Sequence, residues 1–180
     1  VSVKPIPDQS VGSKIYFKVF AIGSNNDTTE SYRFMYELRP YEYCTASGSS
    51  AAGNLYLSEV GIGNTKKTST NNTYSNYNSP VFQLKQDSTY TISLKANTGW
   101  TDNDFGAYID YNNDRTFDES EKIINKMNSG SSASASFKVP KVQKYGDTVK
   151  MRVRLSYWDG EPSACGNNQL GEVEDYLVVL

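Results

Sequence analysis

Apolar residues recur at every second position along most of this chain, and almost nowhere at the three-to-four-residue spacing of an amphipathic helix. Over 89–95, Tyr90, Ile92 and Leu94 share one face, while Thr89, Thr91, Ser93 and Lys95 share the other. Over 150–158, Met151, Val153, Leu155 and Tyr157 oppose Arg152, Arg154, Ser156 and Trp158. Over 105–111, Phe105, Ala107, Ile109 and Tyr111 oppose Gly106, Tyr108 and Asp110. Further strands are expected at 14–22, 31–38, 54–61, 80–84, 134–139 and 172–180. Turn-forming clusters separate them, such as Gly23-Ser24-Asn25-Asn26-Asp27, Asn71-Asn72-Thr73 and Ser129-Gly130-Ser131-Ser132. About nine or ten short strands without helices predict an all-β chain, an antiparallel β-sandwich of jelly-roll type.

A chain of 180 residues suits one domain with at most a short appendage. One segment fits the sandwich less well. Over 14–22, Ile15, Phe17 and Val19 lie on one face, and Tyr16, Phe20 and Ile22 on the other, so both faces are apolar. Such a strand is covered on both sides, or belongs to a neighbouring domain's edge. Residues 1–40 are therefore either the first strands of the same sandwich or the trailing strands of an upstream module, and 41–180 form the main module. The chain opens Val1-Ser2-Val3-Lys4-Pro5 without a signal peptide, which reads as a mature fragment of a longer secreted protein.

Composition excludes several functions. A net charge of -2, from 18 basic and 20 acidic residues, leaves no excess to grip a nucleic-acid backbone. No apolar run approaches the roughly 20 residues of a membrane-spanning helix. There is no histidine, which removes Ser-His-Asp and Cys-His catalysis, His-ligated zinc and imidazole bases from this chain. The two cysteines, Cys44 and Cys165, have no CxxC spacing and lie far apart, so a redox pair or a cysteine zinc site is not expected. Two buried thiols or one long-range disulfide remain; loop-like flanks and a secreted composition favour the bridge.

The strongest chemical signal runs from Asp110 to Glu121. Oxygen-bearing residues stand at positions 1, 3, 5, 7 and 9 of this window (Asp110, Asn112, Asp114, Thr116 and Asp118), and Glu121 closes it at position 12. This is the spacing of an EF-hand loop, which wraps calcium in side-chain oxygens and one carbonyl, here that of Thr116. Arg115 replaces the glycine that usually makes the sharp turn at position 6, and the loop follows a strand rather than a helix. The structural alternative is a polar hairpin loop whose Asp and Asn residues cap their own turns.

Near the C-terminus the chain reads Cys165-Gly166-Asn167-Asn168-Gln169-Leu170-Gly171-Glu172-Val173-Glu174-Asp175-Tyr176. With Tyr43-Cys44 upstream and Tyr108-Ile109-Asp110-Tyr111-Asn112-Asn113-Asp114 between, residues 41–180 resemble the GEVED domain family. The resemblance implies a secreted, non-catalytic β-sandwich module of the kind attached to extracellular enzymes and adhesins of Bacteroidota and related bacteria. It implies a Cys44–Cys165 disulfide and an Asp-x-Asn-x-Asp loop at 110–114. Glu172, Glu174 and Asp175 could suggest paired catalytic carboxylates. Alternation splits them between two faces, and salt bridges to Arg152 and Arg154 are the expected role.

Three functions follow. In the first, the module holds a secreted enzyme on an extracellular polysaccharide. Trp158 and Trp100 would stack on sugar rings, and Arg152 and Arg154 beside Trp158 would favour acidic or sulfated chains, with neutral glycans as the second choice. In the second it is a spacer or adhesion module that contacts an extracellular protein such as collagen, with both tryptophans buried. The third is a lyase using Tyr with Arg or Lys, for which no local constellation stands out. A monomer attached to an enzyme, with calcium as cofactor and neither nucleic acid nor membrane as partner, is the expected form.

Overall fold

The computed structural model describes residues 14–22, 28–37, 42–49, 54–98, 100–141 and 148–180, and the chain divides into two compact units, Val1–Glu42 and Tyr43–Leu180. In the first unit, β1 (Lys14–Ile22) and β2 (Thr28–Glu37) form an antiparallel hairpin, running from Lys14 opposite Glu37 to Ile22 opposite Thr28 with a bulge between Val19 and Phe20. The two-sided apolarity expected of 14–22 concerns side chains outside the described residues, as does the boundary expected at 40/41.

The second unit begins with β3 (Ala46–Ser47), β4 (Leu57–Ile62), β5 (Thr65–Thr68), β6 (Tyr74–Gln83), β7 (Thr89–Ala96) and β8 (Asn103–Ile109). A 3-10 turn, Glu119–Glu121, leads into β9 (Lys122–Lys126) and β10 (Ser132–Lys138), and then come β11 (Thr148–Tyr157), β12 (Gly166–Asn167) and β13 (Gly171–Val179). One sheet has the order β10-β7-β4-β5, the other β6-β13-β11-β8-β9, and β12 pairs with β3 in a small ribbon. The expected all-β architecture is present. It departs from a purely antiparallel sheet at two places, because β6 runs parallel to β13 and β3 parallel to β12.

The period-two pattern explains the core between the two large sheets. Val60, Ile62, Ile92 and Leu94 come from one sheet, and Phe82, Phe105, Ala107, Ile109, Met151, Val153, Leu155, Tyr176 and Val178 from the other; all are buried in one cluster. Burying each of the larger side chains contributes about 1.5–3 kcal/mol.

Alternation also predicts a solvent face for the second sheet, and here the structure differs. Every residue of β8 is buried, as is every residue of β11 from Met151 to Ser156 and of β13 from Gly171 to Tyr176. Segments on either side of the Cys44–Cys165 disulfide lie over the outer face, closing a third layer. Two glycines permit the close approach. A Cβ on Gly106 would stand 2.8 Å from the Pro162 ring, and one on Gly171 would stand 1.9 Å from the Leu155 carbonyl oxygen. Gly171 also has φ +120, which L side chains rarely adopt, so the first residue of the Gly-Glu-Val-Glu-Asp string is fixed by backbone geometry.

Candidate functional site

Arg152 and Arg154 stand on the outer face of β11, as alternation predicts, but only 2% and 1% exposed. The Arg152 guanidinium forks onto Asp175, with Nε donating to Oδ1 at 2.7 Å and Nη2 to Oδ2 at 2.9 Å. Its Nη1 donates to the carbonyls of Cys44 (2.8 Å) and Ala164 (3.0 Å). Arg154 has no carboxylate partner among the described residues. It donates to four carbonyls: Ser163 (2.6 Å), Cys165 (3.0 Å), Gly166 (2.5 Å) and Ser47 (3.4 Å). Both arginines thus bind this chain's own disulfide layer. The expectation that they face a polysaccharide is corrected, because the third layer covers the face that the strand pattern leaves polar.

The signature carboxylates divide as alternation requires. Asp175 faces outward to Arg152, and also accepts from Tyr74 OH (2.8 Å) and Lys150 Nζ (3.2 Å). Glu172 and Glu174 face inward, fully buried, and meet neither arginine. Glu172 Oε2 accepts the Leu57 N–H across the sandwich (2.9 Å), and Glu174 Oε2 accepts the Tyr176 hydroxyl. The second oxygen of each carboxyl has no hydrogen-bond partner among the described residues. Burial, then the neighbouring Glu174, pushes the Glu172 carboxyl up to about 8, and burial also raises Glu174. Both carboxyls are enclosed in the core with no exposed surface.

The 110–121 loop begins where β8 ends. Asp110 is buried; its Oδ1 accepts the Asp114 N–H (3.1 Å) and its Oδ2 the Arg115 N–H (2.9 Å) and the Tyr43 hydroxyl (2.6 Å). Asn112 Oδ1 accepts the Asp114 N–H (2.9 Å), and Asp114 Oδ1 accepts from Thr116 N–H (2.8 Å) and Oγ1 (2.5 Å). Glu121, also buried, turns back so that its oxygens take the N–H groups of Asn112 (3.4 Å) and Asp118 (3.1 Å). Arg115 takes φ +68, so it adopts the left-handed turn that glycine usually supplies at position 6.

Burial, then the charges of Asp110 and Asp114, pushes the Glu121 carboxyl up to about 7, and burial also raises Asp110. All the donors are oxygens, which suits a hard cation. Among the described residues no three acidic or sulfur groups converge as a ready-made metal cage, since the carboxylates rest on backbone N–H groups of the loop. Sequence reasoning missed Tyr43 as a partner of this loop. Its ring stacks on Phe117 at 5.1 Å, tying the loop to the residue before Cys44.

The tryptophans diverge. Trp100 is half-buried, edge-on to Tyr157 at 4.9 Å and 68°, and packed against the core. With Thr101, Tyr157 and Leu170 it lines a cavity of about 340 Å³. Trp158 is 81% exposed, the largest exposure among the big apolar side chains described, followed by Met127 at 52%. β11 ends at Tyr157, and Trp158 turns out of the strand with φ +48, so it does not continue the face of Arg152 and Arg154.

Its loop is anchored from below. The Trp158 N–H donates to Asp102 O (2.9 Å). Asp104, 1% exposed, accepts the Asp159 N–H on Oδ2 (3.2 Å) and the Asn128 N–H on Oδ1 (2.9 Å). One buried carboxylate thereby fixes both the loop bearing Trp158 and the loop bearing Met127. Nothing in the strand pattern singled out Asp104; an acidic residue at the head of an otherwise apolar strand was the available signal.

Residues 104–179 match the family model of the GEVED domain. The match takes in β8 from Asp104 onward, the 110–121 loop and the signature string, and supports the resemblance over that stretch. Among solved structures the chain is similar to an AA10 lytic polysaccharide monooxygenase (LPMO) from Streptomyces lividans, at 13% identity with a TM-score of 0.32, over 56% of this chain and 59% of that one. The chain therefore spans less than two thirds of that protein's length. No curated protein matches the chain. No helix among the described residues is long and apolar enough to cross a membrane.

Proposed function

We propose that the Tyr43–Leu180 unit is a non-catalytic binding module that holds a secreted bacterial enzyme on an extracellular polysaccharide, with Trp158 as its platform. One observation carries the reading: a tryptophan 81% exposed in a left-handed backbone conformation. For a bulky L residue that conformation costs about 1–2 kcal/mol. Leaving an indole in water forgoes a further burial term of about 25 cal/mol per Å². Neither helps the fold, and strained residues on anchored loops cluster at ligand sites. An exposed indole can stack on the apolar face of a pyranose ring, and the cavity walled by Trp100 and by Tyr157, which directly precedes Trp158, offers a second aromatic contact. The disulfide supports an oxidising, extracellular setting.

Trp158 and Met127 together also suit a protein partner, since tryptophan dominates many protein interfaces. Depletion of the chain from solution by a panel of insoluble polysaccharides and by collagen, with an assay for released products alongside, separates the readings. The proposal expects retention on at least one polysaccharide and no products. Retention on collagen alone would move the function to adhesion, and products would make the chain an enzyme.

Calcium belongs to the same proposal. Asp110, Asn112, Asp114 and Glu121 would supply side-chain oxygens, Thr116 its carbonyl, and Asp118 a direct or water-mediated contact. The ion would neutralise carboxylates that burial and mutual repulsion disfavour, and so stiffen the loop. At about 100 times the dissociation constant it would stabilise the fold by about 2.7 kcal/mol. Chelation should lower the melting temperature of the wild type, and Asp110→Ala should erase that response. An unchanged melting curve after verified removal of metal would contradict the assignment.

A further inference from the structure

With Arg152 and Arg154 enclosed, the charged groups that chain and hydrogen bonds tie to the Trp158 loop are acidic, the opposite sign from the one the strand pattern predicts. Asp159 follows Trp158 directly and is exposed. Asp102, whose carbonyl anchors the Trp158 N–H, points its carboxylate at Thr101 Oγ1 (3.1 Å) and the Tyr157 hydroxyl (3.4 Å), two residues of the cavity wall. Asp104 lies beneath both loops and is bonded to the Asp159 backbone. The residues lining the cavity, Trp100, Thr101, Tyr157 and Leu170, carry no cation. The charged side chains named in these contacts, Asp102, Asp104 and Asp159, are all carboxylates, and the exposed Lys126 lies at the end of β9 on the neighbouring Met127 loop.

Resting on the reading of this surface as a glycan platform, we infer that it takes an uncharged polysaccharide and discriminates against chains bearing uronate or sulfate groups. Carboxylate oxygens accept hydrogen bonds from sugar hydroxyls, and charge-assisted bonds of this kind are about twice as strong as neutral ones. The same oxygens repel an anionic substituent, and like charges set against each other at an interface cost affinity and reject wrong partners. A ring seated on Trp158 brings its substituents well within the screening length of about 8 Å at physiological salt, so the repulsion is felt there. Raising the salt to about 1 M shortens that length to about 3 Å and should relieve it.

The test is affinity electrophoresis and depletion of the 180-residue chain with dextran, mannan and a mixed-linkage β-glucan, each beside its own carboxymethylated form. The inference expects retention on an uncharged polymer that is insensitive to salt, with retention on its carboxymethylated form at least tenfold weaker at low salt and partly recovered at 1 M. Asp159→Asn should narrow that gap several-fold without moving the melting temperature. Equal or stronger retention on the carboxymethylated polymer would overturn the inference and leave the glycan platform standing. Stronger, salt-sensitive retention on a cationic amino-glycan than on its N-acetylated form would overturn it in favour of a cationic ligand. No retention on any polysaccharide would remove the platform itself, and the inference with it.

Discussion

Arg152→Met is expected to lower the stability of the Tyr43–Leu180 unit by about 3–5 kcal/mol, the usual cost of removing one partner from a buried ion pair. The substitution preserves volume and apolar stem but deletes the fork onto Asp175, whose side chain is fully buried. It also orphans the carbonyls of Cys44 and Ala164, which hold the disulfide layer over the sheet. Arg152→Lys should recover little, because an ammonium cannot serve two carboxylate oxygens and two carbonyls in the planar geometry of a guanidinium. Urea denaturation of wild type and both variants, with the disulfide intact in each, gives the comparison. A loss below about 1 kcal/mol in Arg152→Met would show that the bridge alone secures the third layer.

Glu172→Gln should change the pH dependence of stability more than any surface substitution. Burial, then the neighbouring Glu174, pushes the folded-state carboxyl up to about 8, far above its ordinary value of 4.5, so folding favours the protonated form. Its contribution is fully present below about pH 4.5 and is lost as pH rises towards 8. Across that interval each pH unit removes up to about 1.4 kcal/mol. A glutamine stays neutral and can still accept the Leu57 N–H through its amide oxygen. The variant should therefore match wild type near pH 4, decline less between pH 5 and 8, and exceed it in melting temperature at pH 8. Parallel pH profiles for the two proteins would show that Glu172 is ionised in the fold.

Those two effects come from the part of the molecule that local sequence describes least well. The strand pattern located β7 and β11 within a residue or two and identified the inner residues Met151, Val153 and Leu155. It also separated Glu172 and Glu174 from Asp175. It did not say which face met water, because period two distinguishes faces without saying what lies over them. The covering layer comes from the distant segment around Cys44 and from the loop that follows β11 through Cys165, and folding lays both over Arg152 and Arg154. The parallel pairing of β6 with β13 is equally non-local. The Lys- and Thr-rich edge strand β5 carried too little apolar pattern to be seen.

At the candidate sites the same division holds. Oxygen spacing marked 110–121 as one loop, and the structure folds it so that Asp110 and Glu121 are both buried. Tyr43, which braces it from a distant position, had no local signal of that role. Trp158 is legible in the sequence as a candidate stacking residue, but its setting is not. Continuing the strand by one residue put it beside two guanidiniums, whereas φ +48 turns it away from them, next to Asp159.

The most direct measurement is retention of Trp158→Ala on whichever polysaccharide depletes the wild type, together with its melting temperature. Removing an exposed platform should weaken retention by about 1–3 kcal/mol, roughly tenfold to more than a hundredfold. Stability should stay within about 0.5 kcal/mol of wild type, as for other surface changes. Undiminished retention by a stably folded Trp158→Ala would contradict the account.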